Sequence, residues 1–574
     1  MKKTGAQIVV DALVREGVKV AFGYPGGTVI PIFDVLYDTK EITFILTRHE
    51  QGAAHAADGY ARATGEVGVC IATSGPGAMN IMTGVATAYL DSIPLVAITG
   101  QVASPLLGTD AFQEADIVGV SRSITKHNFL VKDVHELPTM LKQAFHIART
   151  GRPGPVLVDI PIDIARAMNE KYEYPKEVLI RGYKPTVDGH PKQIERVAAM
   201  IAKAAKPLIF AGGGVIAAGA HAELRELVEK TNIPITLSFM GLGAFPGSHP
   251  LFIGMPGMHG AKCANRVFQE CDLIVSIGAR FDDRVTGFVA RFAPNAAVIH
   301  IDVDPASVSK IVQVDVPVVG DAKSILTALN NIVAPREANA WNDTVKEWKG
   351  KKLFVYQPSD TEIKPQAVIE KLYELTGGNA IVCTEVGQHQ MWTAQYYIFD
   401  RPRSLVSSGG LGTMGFGLPA AMGAALAEPG CPVFNIAGDG SIQMNIQELA
   451  TISINKVPVK VIILNNSYLG MVRQWQDLFY GKRYSSTCLR KGRDCEACSN
   501  PSACTKSYIP DFVALAQSYG IAAFRADKPA DVEQVLRKGI EADGPAVMEF
   551  AVAAEENVFP MVPAGKSLDE ILEG

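Results

Sequence analysis

Residues 433–441 read VFNIAGDGS and residues 459–466 read VKVIILNN, with 24 residues from Ser441 to Leu464. Each is an apolar, β-branched burst that stops at small or amide residues: Gly438-Asp439-Gly440-Ser441 in the first, Asn465-Asn466 in the second. Bursts of this kind read as buried strands of a parallel sheet, and their ends can converge on one sheet edge. Glycine lets backbone N–H groups approach a phosphate, while the Asp439 carboxylate and the Asn466 amide oxygen are hard ligands for Mg²⁺. A carboxylate, an amide oxygen and phosphate oxygens suit an octahedral site. Singly, each stretch reads equally as a tight turn. The pairing, with a strand before each, favours a ligand site.

The same rhythm runs almost from end to end. Further bursts lie at 67–72, 95–99, 156–160, 207–211, 273–277, 297–301 and 380–383, many closed by Gly, Ser, Asp or Asn. Short strands followed by glycine turns and helices are the sequence form of parallel α/β layers. Residues 166–190 and 334–364 are charged and lack such bursts, so they read as linkers with room for a helix. Three α/β blocks result, which suits 574 residues. The first and third share a similar strand–turn–helix order.

Hydrophobic residues at 48% and charged residues at 20% describe a globular chain rather than a disordered one. A net charge of −5 offers no broad basic surface and argues against nucleic acid as a partner. The uncharged runs 67–90 and 404–427 are rich in Gly and read as buried loops and helices, not membrane spans. Asp11, Arg15, Glu16 and Lys19 interrupt any apolar leader, so a cytoplasmic location is expected. Of nine cysteines, Cys70, Cys263, Cys271, Cys383 and Cys431 are scattered and read as core thiols. Cys488, Cys495, Cys498 and Cys504 crowd into one polar stretch, 485–507, with Arg490, Lys491 and Arg493. That stretch reads as a zinc, iron–sulfur or redox site, or as an inert surface loop.

The paired motif resembles the thiamine diphosphate signature. Phe22–Gly27 (FGYPGG), Arg48–Ala53 (RHEQGA), Thr73–Gly77 (TSGPG), Gly108–Glu114 (GTDAFQE), Gly278–Arg284 (GARFDDR), Gly387–Trp392 (GQHQMW), Gly409–Gly417 (GGLGTMGFG) and Gly470–Trp475 (GMVRQW) extend the likeness. From about residue 4 to 565 the chain is similar to the catalytic subunits of acetohydroxyacid (acetolactate) synthases, a thiamine diphosphate-dependent family. The resemblance implies three consecutive parallel-sheet α/β domains of the thiamine diphosphate-dependent decarboxylase type. They are a pyrimidine-binding domain at 1–165, an FAD-binding domain at 191–333 and a diphosphate/Mg²⁺ domain at 365–574, joined by the linkers and carrying the insert 485–507.

The family implies roles as well. Glu50 hydrogen-bonds the cofactor's aminopyrimidine ring and, as a carboxylate, favours its imino tautomer. Met414 wedges between the cofactor's rings. With Gln113 these are the expected catalytic residues. Gln388, His389, Gly412, Gly438, Asp439, Gly440, Ser441, Asn466, Tyr468, Gly470 and Met471 are implied cofactor contacts, and Asp439, Asn466 and the Tyr468 carbonyl the metal ligands. Leu208–Ala211 running into Gly212-Gly213-Gly214, and Asp302 after residues 297–301, form a weak dinucleotide pattern. The family makes the ligand FAD, contacted by Arg152, Gly213, Met258, His259, Arg280, Asp282 and Asp302. Arg284, Phe112 and Trp475 are implied substrate contacts, and Asn557–Gly565 a closing segment.

The implied reaction is decarboxylation of pyruvate and carboligation to a second 2-oxo acid, pyruvate or 2-oxobutanoate, the first common step of branched-chain amino-acid biosynthesis. An FAD-using pyruvate oxidase and a simple 2-oxo acid decarboxylase are the alternatives. A homodimer or tetramer with active sites between chains, and a separate small regulatory subunit, are implied too. Two departures stand out: the larger is the insert 485–507, and the other is Ile162, which follows Asp159-Ile160-Pro161 where the family often has Lys, a role that is not carried over to Lys126 from the sequence.

Overall fold

The computed structural model describes residues 1–490, 504 and 508–573. Every burst named above forms a strand. In the first domain β1 (Val20–Tyr24), β2 (Thr43–Leu46), β3 (Gly68–Ala72), β4 (Leu95–Gln101), β5 (His127–Leu130) and β6 (Pro155–Pro161) make a parallel sheet in the order β2-β1-β3-β4-β6-β5. The middle domain holds β7 (Pro207–Ala211), β8 (Ile235–Leu237), β9 (Leu273–Ile277), β10 (Ala297–Asp302) and β11 (Val316–Val319), ordered β8-β7-β9-β10-β11. The third holds β12 (Ile381–Thr384), β13 (Leu405–Val406), β14 (Val433–Gly438), β15 (Val459–Asn465), β16 (Ala522–Ala526) and β17 (Ala546–Ala551), ordered β13-β12-β14-β15-β17-β16. The first and third sheets therefore share one topology, which gives the similar order of their motifs a structural basis.

Central strands are buried on both faces, which is why they read as continuous apolar runs rather than alternating ones. The stretch 166–190 contributes a short strand pairing Met168–Asn169 with Lys3–Thr4, and 334–364 contains the helix Ala340–Lys349. Among the described residues no helix is long and apolar enough to cross a membrane.

The first and third domains share one core, in which Cys70 and Ala97 join Ala420, Val433 and Ile463. Its centre is the packing of helix α1 (Glu50–Thr64) on helix α2 (Gly417–Ala427). Small residues let the backbones meet: a Cβ on Gly423 would lie 1.9 Å from the Ala56 carbonyl oxygen, and one on Gly59 would lie 2.2 Å from that of Ala420. Neither obstacle is a flexible side-chain tip. Gly423→Ala is expected to destabilise the chain by about 3 kcal/mol through overpacking. The check is the apparent Tm and soluble yield, and a parent-like Tm would contradict this packing.

Candidate active site

In the third sheet Gly438 of β14 pairs with Leu464 of β15, so the turns after both strands leave the same carboxyl edge side by side. Asp439 opens a short helix, Asp439–Ile442, and is 1% exposed. Burial pushes its carboxyl up to about 7, and its Oδ2 has no hydrogen-bond partner among the described residues. A buried, unpartnered carboxylate oxygen at a strand end fits a hard cation. Asn466 donates its amide to Gln388 Oε1 at 3.3 Å and accepts from the Tyr468 N–H at 3.0 Å. Tyr468 lies under the Arg473 guanidinium, 4.9 Å from the ring centroid.

His389 lies in the first turn of the helix Gln388–Tyr396 and packs over glycine, since a Cβ on Gly438 would sit 2.8 Å from its Nδ1. Burial lowers its imidazole to about 3, and its Nε2 has no hydrogen-bond partner among the described residues. A neutral ring of this kind can donate or accept toward a phosphate without carrying charge. Ser441 and Gly440 lie in the same turn, and a Cβ on Gly470 would sit 2.1 Å from Gln388 Oε1, so a larger residue there would push the Gln388 amide aside. Gly470 and Met471 open helix α4 (Gly470–Phe479).

Met414 is half-buried in a loop pinned on both sides. Thr413 meets Thr87 at 2.7 Å, and the Gly415 N–H donates to Glu385 Oε2 at 2.7 Å. Glu385, whose carboxyl burial raises to about 7, also accepts from Leu418 N at 3.0 Å, so it caps α2. Upstream, Asp91 accepts from Gly409 and Gly410 N–H at 3.1 and 2.7 Å and pairs with the buried Arg62, which also binds Asp58. These anchoring residues escaped sequence reasoning. Their signal is weak: a charged residue within an otherwise apolar or small-residue stretch.

Glu50 lies at the first turn of α1, its Oε2 accepting from Asn80 Nδ2 at 3.0 Å. A Cβ on Gly77 would approach Glu50 Oε1 to 3.2 Å, so the TSGPG turn borders the carboxylate. Gln113 adopts φ +60° on the loop packed against Gly75, and neighbouring Phe112 is 89% exposed. That loop is tied down by Gln101, whose amide donates to Ala115 O at 2.9 Å and to Asp159 Oδ2 at 3.0 Å. Asp159 also accepts from Thr99 Oγ1 at 2.7 Å, and burial raises its carboxyl to about 7.

The unfolded chain releases the Asp159 proton near pH 4, whereas the folded chain keeps it to about 7. Stability from this group is thus complete at low pH and is lost as pH rises through that window. Asp159→Asn removes the titration. Its apparent Tm relative to the parent is expected to rise by a few degrees between pH 5 and 7.5, and a pH-independent difference would refute the buried-acid assignment.

In the middle domain Gly213 follows β7, Arg280 and Asp282 follow β9, and Asp302 ends β10, all at one sheet edge. Asp302 accepts from the Asp304 N–H at 2.8 Å, and Arg152 reaches across from the first domain to Asp304 at 3.2 Å. His259 is buried, its Nδ1 without a hydrogen-bond partner among the described residues and its pKa lowered to about 4 by burial. Strand-end glycines, an acid beyond a strand and an orphaned imidazole nitrogen fit a dinucleotide.

Met258 accepts from the Val562 N–H at 2.8 Å, and its own N–H donates to Arg284 O at 2.7 Å. A cleft of about 130 Å³ lies between Arg284 and Val562–Gly565, so an expected substrate residue and the closing segment meet. The buried Gln474 holds that segment through Val558, accepting from its N–H at 2.8 Å and donating to its carbonyl at 3.1 Å. Trp475 is half-buried against Phe479 and does not line this cleft.

Ile162 opens the helix Ile162–Arg166, and the Lys126 ammonium is committed elsewhere, to Thr150 O at 2.7 Å and Tyr183 Oη at 3.2 Å. Cys431, read as a core thiol, is half-buried in the turn before β14, where Arg401 Nη2 lies 3.5 Å from its sulfur. It packs against the margin of the core shared by the first and third domains rather than inside it. Cys70, Cys263, Cys271 and Cys383 are buried. Cys488 and Cys504 are free thiols, and Cys488 bridges antiparallel to Tyr468, whereas Cys495, Cys498, Lys491 and Arg493 lie outside the described residues.

Three family models tile this architecture. They are the thiamine pyrophosphate enzyme N-terminal TPP-binding domain at 3–120, the central domain at 194–329 and the C-terminal TPP-binding domain at 385–550. The chain is 47% identical over 579 residues to the acetolactate synthase isozyme 3 large subunit of Escherichia coli, covering 99% of this chain and 98% of that protein. It is 48% identical over 580 residues to the acetolactate synthase large subunit of Corynebacterium glutamicum, covering 99% and 90%. The chain belongs to the acetolactate synthase large-subunit family. Within that family the three sheets are the thiamine diphosphate-enzyme domains, and the β14–β15 edge lies in the C-terminal TPP-binding domain.

Proposed function

We propose that this chain is an acetolactate synthase, which decarboxylates pyruvate and ligates the two-carbon unit to pyruvate or 2-oxobutanoate. The observation that carries the reading is the buried Asp439, with a carboxylate oxygen that has no partner among the described residues, beside Asn466 at adjoining strand ends in a chain aligned end to end with this family. Thiamine diphosphate supplies a stabilised carbanion when bound. Asp439, Asn466 and the Tyr468 carbonyl would hold Mg²⁺, and Gln388, His389, Gly438, Gly440, Ser441, Gly470 and Met471 the diphosphate. Met414 and Gly412 would hold the cofactor's rings. Glu50 would move a proton at the aminopyrimidine, with Gln113 near the reacting atoms.

In the same reading FAD lies at the middle-domain edge against Arg152, Gly213, Met258, His259, Arg280, Asp282 and Asp302. Arg284 pairs with the substrate carboxylate, and Phe112 and Trp475 border the acceptor. Domain boundaries at 165/166, 190/191, 333/334 and 364/365 complete this assignment. The relatives are named large subunits, so a separate small subunit belongs to the proposal, as do a homodimer or tetramer with sites between chains and a cytoplasmic location.

Product analysis tests it: 2-acetolactate from pyruvate alone, and 2-aceto-2-hydroxybutanoate when 2-oxobutanoate is added. Free aldehyde as the main product would mark a decarboxylase, and stoichiometric oxygen or quinone reduction a pyruvate oxidase. Trp475→Leu is expected to cut the preference for 2-oxobutanoate over pyruvate about tenfold, the worth of one methylene contact. An unchanged product ratio in competition would remove Trp475 from the acceptor pocket.

A further inference from the structure

The start of α1 is held from another domain. Helix α3 (Glu448–Ile454) begins with a carboxylate that is 0% exposed. Its Oε1 accepts from the backbone N–H groups of Arg48 and His49, both at 3.0 Å. Its Oε2 accepts from Arg48 N at 3.2 Å and from Thr451 Oγ1 at 2.7 Å. These two N–H groups directly precede Glu50 and, as donors ahead of a helix start, have no partner within the helix itself. The contact is also shaped by Gly52, because a Cβ there would lie 2.6 Å from Glu448 Oε1.

Glu448 lies on a short segment with other duties. Gln443 donates to Asp439 O at 2.9 Å, and Asn445 donates to Gly415 O at 2.6 Å, next to Met414. Residues 439–448 thus touch the metal-ligand turn, the methionine loop and the Glu50 helix in succession.

We propose that Glu448 is a positioning residue for Glu50, through which the diphosphate domain fixes the angle and depth at which that acid is presented. A carboxylate held on a rigid helix start reaches one atom reproducibly, whereas a frayed start spreads it over several positions. The proposal rests on the reading of Glu50 as the acid that meets the cofactor.

Glu448→Gln keeps the shape and one acceptor oxygen but turns an N–H₂ toward the Oε2 donors. Gly52→Ala crowds the same contact from the other side. Both are compared with the parent as assembled holoenzymes. Amide hydrogen exchange across 44–52 is expected to quicken about ten- to hundredfold, with exchange in the three sheets unchanged, as loss of buried charge-assisted hydrogen bonds implies. Turnover should fall about tenfold or more while the KM for pyruvate stays within about threefold.

Unchanged exchange at 44–52 in a folded variant overturns the proposal. So does quickened exchange with parent turnover, or exchange raised across both domains alike, which would make Glu448 a general prop. Glu50→Gln, run in parallel, keeps the two readings separable: parent-like turnover there would remove the role of Glu50 without altering the exchange result.

Discussion

Glu50→Gln is expected to lower turnover by about 10³-fold while leaving the chain folded and its affinity for thiamine diphosphate within a few-fold. The amide retains an oxygen to accept from Asn80 Nδ2, fills the same space beside Gly77, and leaves the backbone clamp on Arg48 and His49 untouched. What it lacks is a proton site. A positioned acid–base group contributes about 10²–10⁴ to rate, and no second carboxylate hydrogen-bonds to Asn80 among the described residues to replace it. Single-turnover kinetics with cofactor-saturated enzyme, and calorimetric titration of thiamine diphosphate, give the two numbers. Turnover within tenfold of the parent would dismiss the role.

Asp439→Asn is expected to act in opposite directions on the cofactor-free and loaded protein. Without a cation, burial disfavours the carboxylate, and its Oδ2 has no donor among the described residues. A neutral amide of the same shape removes that cost, so the cofactor-free apparent Tm should stay level or rise by about 0.5 °C, as for about 0.5 kcal/mol in a chain of this size. The same change removes the formal charge from the proposed Mg²⁺ site. Affinity for Mg²⁺ with thiamine diphosphate should fall about a hundredfold or more, since a hard cation held by neutral oxygens alone loses its main attraction. A cofactor-free Tm well below the parent's would indicate that Asp439 supports the fold rather than a ligand.

The strands were legible because each is a local pattern. Residues 207–211 and 273–277 carry their burial in their own composition, and both form strands over those spans. The Asp439–Asn466 edge was legible for the same reason, since a turn after each of two strands needs only the strands to be neighbours. What holds the catalytic loops was not. Asp91 meets Gly410 across 319 residues and Glu448 meets His49 across 399, and no periodicity encodes such a meeting. A buried carboxylate accepting backbone N–H groups leaves no side-chain partner to search for, because any residue type can supply the donor. Arg284 and the closing segment were both named from the sequence, but their shared cleft depends on Met258, where the fold brings two distant backbones together.

The interlocked α1 and α2 also set a timetable. On the ribosome α1 is complete about 350 residues before α2 emerges, because the middle domain is encoded between them. At the ordinary 5–20 residues per second of synthesis, roughly 20–70 s pass before its partner surface exists. During that interval the small apolar face of Ala53, Ala56 and Ala57, fully buried in the finished protein, has no native cover from the third domain. The middle domain waits as well, because its core runs on into Val382, Phe434 and Ile462 of the third. The first cannot be finished until the last is made.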